Sequence, residues 1–363
     1  MAAGVMPVHG GPDAAGAARF DFSTNSNACG PCPAAVQALQ AADATRYPDP
    51  AYTALRESLA AFHGVAPARV VLAASASEFI HRITALAVQQ GAVQVALPAH
   101  SYGDYAHAAQ VRGLGVLRGA SAAAGLQWAC EPSSPLGRED PAARAWQRDD
   151  SNGGDLAGAL RVLDCAYAPL RLDPEGAWTG APPVPPGTLP AGCWQLWTPN
   201  KALGLTGVRA AYAIAPPGSD EQVHTLVALA PSWPVGAHGV ALLQAWVQPL
   251  AQQWLVHSLA TLREWKSRQL ALCHGLGWTV HAGSRANYFC AQPASASLPG
   301  DLAALRAAGI QLRDATSFGL PGSVRLGVLA PAAQDALREA WLALHRRRTI
   351  AGYRSSTGSG STL

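Results

Sequence analysis

Charge is what this chain has least of. Only 13% of its 363 residues are Asp, Glu, Lys or Arg, about half of the ~25% usual in soluble domains. So little charge implies a large buried surface, as in a big α/β enzyme or an oligomer. The formal net charge is +3, and most basic residues are arginines scattered singly, so no nucleic-acid face is expected. The one cluster, Arg346-Arg347-Arg348, reads as a solvated helix C-terminus. No 18-residue apolar run is free of charge or Pro/Gly breaks, so no membrane span is expected. Met1 to Pro7 lacks a basic n-region and an apolar h-region, so no secretory signal is expected. Seven cysteines, an odd number, argue for reduced thiols in a cytoplasm. Cys29-Gly30-Pro31-Cys32 has no second pair, which makes it weak evidence for metal or redox chemistry, and no metal site is expected.

What the chain does have is a regular alternation of short apolar runs and helical stretches. Helices are expected over residues 34–42 and 51–62, the second capped by Gly64. Strands are expected over 70–74, 93–97, 126–130, 160–164 and 193–198, each short, apolar and bounded by turn residues. The segment 137–155 is polar and poorly patterned. Residues 236–274 read as one long helical stretch kinked near Pro249. Strands follow over 278–281, 287–292, 310–313 and 324–329, with helices over 302–308 and 331–347. Residues 355–361 are Gly/Ser-rich and expected to be disordered. Strands alternating with helices predict a mostly parallel, doubly wound sheet, followed by a smaller α+β unit.

In such a sheet, ligands bind beyond the carboxyl ends of the strands. Chemically useful residues fall there repeatedly: Ser75, Ala76 and Ser77, Tyr102, Asp164 with Tyr167, and Thr198 with Lys201. Strand, small-residue turn and helix start make an anion site from free N–H groups and the helix dipole. Ser77 alone reads more readily as a simple N-cap. The densest stretch is Thr198-Pro199-Asn200-Lys201, with Arg209 eight residues beyond the lysine. A lysine there is a candidate amine nucleophile, although most single lysines are only solvated. Together these residues form a kit for pyridoxal 5'-phosphate: an amine, a carboxylate for the ring nitrogen, and an anion cradle of Ser75, Ser77 and Arg209. Tyr167 is placed for the cofactor phenolic oxygen and Tyr102 for stacking on its ring.

The chain resembles the fold-type I pyridoxal-phosphate enzymes of the aspartate aminotransferase superfamily over about residues 9–345. It is most similar to the branch that holds histidinol-phosphate aminotransferases and threonine-phosphate decarboxylases. Asp164-Cys165-Ala166-Tyr167 resembles that family's D-E-A-Y, and Thr198-x-x-Lys201 with Arg209 its S/T-x-x-K…R. Arg46-Tyr47-Pro48 resembles the loop whose tyrosine reaches the cofactor phosphate of a neighbouring subunit, which implies a homodimer. Arg325 matches the arginine that clamps a substrate carboxylate, and Arg313 resembles an anion-binding position. His9-Gly10-Gly11 and Asp21-Phe22-Ser23-x-Asn25-x-Asn27 resemble the N-terminal motifs of the decarboxylases of cobalamin biosynthesis. That likeness implies His9, Gly10 and Asn27 at the substrate mouth. Where the family reads N-P-T-G, with its asparagine on the cofactor's phenolic oxygen, this chain reads Ser134-Pro135-Leu136-Gly137.

The resemblance implies a cytoplasmic decarboxylase of L-threonine O-3-phosphate, with an aminotransferase of the histidinol-phosphate type as the alternative. A catalytically weakened binding protein on the same fold is a third reading, favoured only by Ser134. The implied organisation is an arm (1–34) contributing to the small domain and substrate mouth, a large cofactor domain (35–235), a small domain (236–347) and a disordered tail (348–363).

Overall fold

The computed structural model describes residues 9–121, 123–151, 159–182 and 192–357. In chain order the elements are β1 (Phe20–Asp21), α1 (Pro33–Gln40), α2 (Thr53–His63), β2 (Val70–Ala73), α3 (Ala76–Gln89), β3 (Gln94–Leu97), α4 (Gly103–Gln110), β4 (Gly115–Arg118), β5 (Leu126–Cys130), α5 (Pro141–Ser151) and β6 (Leu160–Asp164). They continue with β7 (Trp194–Trp197), β8 (Ala211–Ile214), α6 (Asp220–Ala228), α7 (Ala237–Trp246), α8 (Pro249–Gly275), β9 (Thr279–Val280), β10 (Tyr288–Gln292), α9 (Leu298–Ala307), β11 (Ile310–Gln311), β12 (Arg313–Asp314), β13 (Val324–Gly327) and α10 (Pro331–Thr357).

Seven strands form the larger sheet in the order β2-β8-β7-β6-β5-β3-β4. Pairings from β7 through β4 are parallel, and only β8 runs against its neighbours β2 and β7. Both faces are covered, which explains why strands such as Val70-Val71-Leu72-Ala73 are apolar without alternation. The period-2 geometry still sorts their side chains. Val71 and Ala73 pack with Phe79, Ile80 and Tyr105 on one side, while Val70 and Leu72 pack with Leu55, Trp246 and Leu255 on the other.

A four-stranded antiparallel sheet, β12-β13-β10-β9, builds the smaller layer. The N-terminal arm forms a separate two-stranded sheet beside it: β1 pairs in parallel with β11, Phe20 opposite Ile310. Phe22, Phe289, Trp278 and Trp341 fill its core beneath α10.

Four expectations need correction. The stretch 236–274 is two helices and not one kinked helix: it breaks at Pro249, which begins α8, where a missing N–H costs nothing. The run 310–313 is split between two sheets, β11 pairing with β1 and β12 with β13. The polar segment 137–155 contains α5, although residues 152–155 lie outside the described ones. The last helix continues to Thr357 and not to 347, so 348–357 is helical where a tail was expected; residues 358–363 lie outside the described ones.

Candidate active site

The parallel strands deliver their carboxyl ends to one edge. Asp164 ends β6, Thr198 follows β7, and Ser75 follows β2 by one residue. Because β8 runs the other way, the residues preceding it, Arg209 and Ala210, arrive at that same edge. The Lys201 loop is held by its own backbone. Leu203 N donates to Pro199 O (2.9 Å), and Leu205 N to Asn200 O (2.8 Å). Asn200 braces it further, its Oδ1 accepting from Lys201 N at 2.9 Å. Gly204 has φ 70°, and a Cβ there would stand 2.5 Å from Gly30 O, so both conformation and space demand glycine.

The chain has two lysines. Lys266 is committed elsewhere, donating to Ser284 O and Ala286 O at 2.7 Å each. Lys201 lines the cavity, its Nζ 5.2 Å from the centre of the Tyr167 ring. Asp164 is buried, which pushes its carboxyl up, while donation from Tyr105 OH (2.6 Å), from Ala166 N (2.9 Å) and the charge of Lys201 pull it back. Tyr105 was not among the residues singled out from sequence, nor was Asn25. Asn25 Nδ2 donates to Tyr167 OH at 3.3 Å. An asparagine from the arm thus meets the Tyr167 hydroxyl. The arm motif offers two asparagines two residues apart, and spacing alone does not say which faces inward.

The turn before α3 is a capping arrangement. Glu78 N donates to Ser75 Oγ (3.1 Å) and Ala74 N donates to Glu78 Oε2 (3.2 Å). The cap is therefore Ser75 and not Ser77. Ser77 is bonded to Asp104 and lies 3.4 Å from Tyr102 OH. Ser75, Ala76, Ser77 and Arg209 all line the same cavity, with the first turn of α3 supplying N–H groups that have no partner within the helix.

Across the cavity stand two arginines on neighbouring strands. Arg313 and Arg325 are directly opposite in the β12–β13 ladder, and both are buried. Arg325 donates to Ser23 O at 2.9 Å and reaches Ser134 Oγ at 3.5 Å. Arg313 donates to Asp314 O and Ser317 Oγ, both at 2.7 Å. Burial and the neighbouring Arg325 charge lower the Arg313 guanidinium to about 10. The Phe318 ring lies 4.7 Å from Arg313 and 5.3 Å from Arg325. His9 and Gly10 are at the rim, His9 Nε2 lying 3.8 Å from Asp104 Oδ1.

One cavity of about 580 Å³ thus brings together Lys201, Asp164, Tyr167, Tyr102, Ser75, Ala76, Ser77, Ser134, Thr198, Arg209, His9, Gly10, Arg313 and Arg325. Two expected residues are not in its lining. Asn27, expected at the substrate mouth, is spent on structure: its Nδ2 donates to Ala202 O (3.1 Å) and Ser258 Oγ (2.7 Å), and its Oδ1 accepts from Cys29 N (3.1 Å). Tyr47 lies outside, 76% exposed and stacked on Trp233 with ring centres 4.3 Å apart. Burial pushes the Cys29 thiol to about 11, the opposite of what a metal ligand or redox thiol needs. Among the described residues no group of three His, Cys, Asp or Glu is placed to hold a metal, and no helix is long and apolar enough to cross a membrane.

The model of the family "Aminotransferase class I and II" matches residues 19–127 and 159–344. The chain belongs to this family. A histidinol-phosphate aminotransferase of Rhodospirillum centenum is 26% identical over 348 residues, spanning 88% of this chain and 91% of that protein. The structure of histidinol-phosphate aminotransferase from Sinorhizobium meliloti in complex with pyridoxal-5'-phosphate superposes with a TM-score of 0.71 at 22% identity, covering 88% and 90% of the two chains. L-threonine-O-3-phosphate decarboxylase from Porphyromonas gingivalis gives 0.70 at 19%, covering 90% and 99%. At these identities the two structures speak for the fold: a fold-type I α/β transferase.

The cofactor is that of the family, pyridoxal 5'-phosphate. The residues present fit it. Thr198 Oγ1 and Asn25 Oδ1 are buried with no hydrogen-bond partner, and both residues line the cavity. Unmet buried polar atoms cost about 1–3 kcal/mol each, and a polar group such as this cofactor would offer these two a donor or an acceptor.

Proposed function

We propose that the chain is a carbon–carbon lyase that converts L-threonine O-3-phosphate into (R)-1-amino-2-propanol O-2-phosphate and carbon dioxide. The Arg313–Arg325 pair supports a substrate with two anionic groups, and the resemblance of the arm motifs His9-Gly10-Gly11 and Asp21-Phe22-Ser23 favours the lyase among such readings. Like charges directly opposite in a ladder repel, and among the described residues Arg325 has a buried Nε without a partner and no carboxylate in an ion pair with it. Such a pair is stabilised by a ligand with two anionic groups, here a carboxylate and a phosphate. The planar fork of arginine suits both.

When bound, the cofactor supplies an electrophilic carbon for the substrate amine and a conjugated ring that takes up an electron pair released at Cα. Lys201 holds the cofactor and later delivers a proton to Cα. Asp164 keeps a proton on the ring nitrogen, and Tyr167, with Asn25 behind it, holds the phenolic oxygen. Ser75, Ser77, Thr198, Arg209 and the first turn of α3 hold the cofactor phosphate. Arg313, Arg325 and His9 orient the substrate anions, and Gly10, where a Cβ would stand 2.3 Å from Ser23 O, lets the arm close on itself at the rim. Which bond at Cα breaks is then a matter of orientation: the carboxylate would leave as carbon dioxide, and the proton held by Lys201 would take its place at Cα.

The name shared by the sequence relatives favours a second reading, a histidinol-phosphate type aminotransferase. The same arginines would then hold a dicarboxylate amino donor. The exposed Tyr47–Trp233 stack supports a homodimer in which Tyr47 serves the neighbouring site, and seven free thiols support a cytoplasmic setting.

Cofactor-loaded protein incubated with threonine phosphate is expected to release carbon dioxide and the amino alcohol phosphate in equal amounts, without keto acid. Keto acid without carbon dioxide would overturn the lyase reading in favour of the second. Lys201→Ala is the blank, expected to lose both turnover and the cofactor's imine absorbance.

A further inference from the structure

We propose that His100 is a positioning residue that bolts the loop after β3 to the turn bearing Phe318, and so fixes the two arginines relative to Lys201. The inference rests on reading Arg313 and Arg325 as an anion clamp, but not on which bond at Cα breaks.

His100 lies on the large-sheet side, between the end of β3 and Tyr102. Its Nδ1 is 2.8 Å from Phe318 O. A carbonyl oxygen only accepts, so Nδ1 carries a proton and donates it to Phe318 O. The far end of this bond belongs to the clamp. Ser317 Oγ accepts from Arg313, and the Phe318 ring lies against both guanidinium groups. The next residue, Gly319, has φ 80°, and a Cβ there would stand 3.3 Å from His100 Nδ1. Glycine therefore lets the imidazole approach while turning the chain. Three consecutive residues, 317 to 319, hold one arginine, pack on both, and receive the bolt.

The loop at the near end carries Tyr102 on toward the cavity. One bond thus links the side that holds the cofactor to the side that holds the substrate anions. Positioning of this kind changes how well an anion is held at the distance set by Lys201, without touching the lysine.

The test compares His100→Phe, which keeps a ring but no donor, with His100→Asn, whose Nδ2 stands near the position of Nδ1. Binding of threonine phosphate and of inorganic phosphate to the cofactor-loaded protein is measured by calorimetry, with KM and kcat alongside. His100→Phe is expected to weaken both anions about tenfold, the loss of one partly buried hydrogen bond, and to raise KM more than it lowers kcat. The cofactor absorbance should not move. His100→Asn is expected to stay within about threefold of the original protein. Gly319→Ala attacks the same contact from the other side, is expected to weaken both anions too, and carries the test if His100→Phe does not fold. Unchanged anion binding in His100→Phe, or equal loss in the Asn variant, would overturn the bolt. Failure of the lyase reading appears separately, as absence of carbon dioxide from a protein that still binds phosphate.

Discussion

Asp164 shows how one side chain settles the state of another. Burial alone would neutralise this carboxyl, and a neutral acid could not hold a proton on a ring nitrogen. Tyr105 opposes that with a 2.6 Å donation, while its own ring is stacked on Trp128 at 4.3 Å. Tyr105→Phe removes a donor to the charged form and so raises the carboxyl further. The expected result is an approximately tenfold lower kcat, since bonds to charged groups are worth about 1.5–3 kcal/mol. The acid limb of the rate profile should also move to higher pH. A profile and kcat identical to the original would reduce Tyr105 to packing. Sequence offers Tyr102 and Tyr105 together at the end of one strand. The choice between them depends on the turn into α4, which puts one at the cavity wall and the other under Asp164, and no local pattern encodes that. Lys201, by contrast, stands out in the sequence because its hydroxyl at minus three and arginine at plus eight are local.

At the scale of elements, the strands of the large sheet were readable because they are buried on both faces, as short apolar runs between turn residues. What escaped is what depends on partners far away. Ile310 to Arg313 reads as one strand, yet its halves pair with Phe20–Asp21 and with Val324–Gly327. Asn27 reads as a mouth residue, yet Ser258 and Ala202 claim its side chain. Its backbone N also donates to Lys201 O at 2.9 Å. Asn27 therefore ties the arm and α8 to the lysine loop. Asn27→Ala leaves the Ser258 hydroxyl and Ala202 carbonyl short of a buried donor, with an expected cost of about 1–3 kcal/mol. Denaturant unfolding measures that cost, and cofactor dissociation is expected to quicken with it. A change in KM alone, at unaltered stability, would return Asn27 to the substrate mouth.

For the whole molecule, the acid limit of stability has an identifiable contributor. Trp246 Nε1 donates to Tyr212 OH (3.0 Å), which leaves that hydroxyl to donate to His63 Nε2 (2.8 Å). Burial lowers His63 to about 3, from 6.5. The unfolded chain then binds the extra proton between these values, so stability is full above about pH 6.5 and is lost as pH falls toward 3, by up to about 1.4 kcal/mol per pH unit. His63→Gln keeps an acceptor without a titrating ring, and denaturation at a series of pH values should show an acid slope smaller by about one proton. An unchanged slope would assign acid sensitivity to other groups. One pairing described above has a consequence in time. Phe20 finds its partner at Ile310, and the arm between His9 and Asn27 meets Arg325, Gln311 and Asn287. Contacts of such sequence separation form late and slowly. Residues 9–27 must therefore wait for residues 287–325 to be in place, so the large sheet can be complete while the cavity still lacks the wall that the arm supplies.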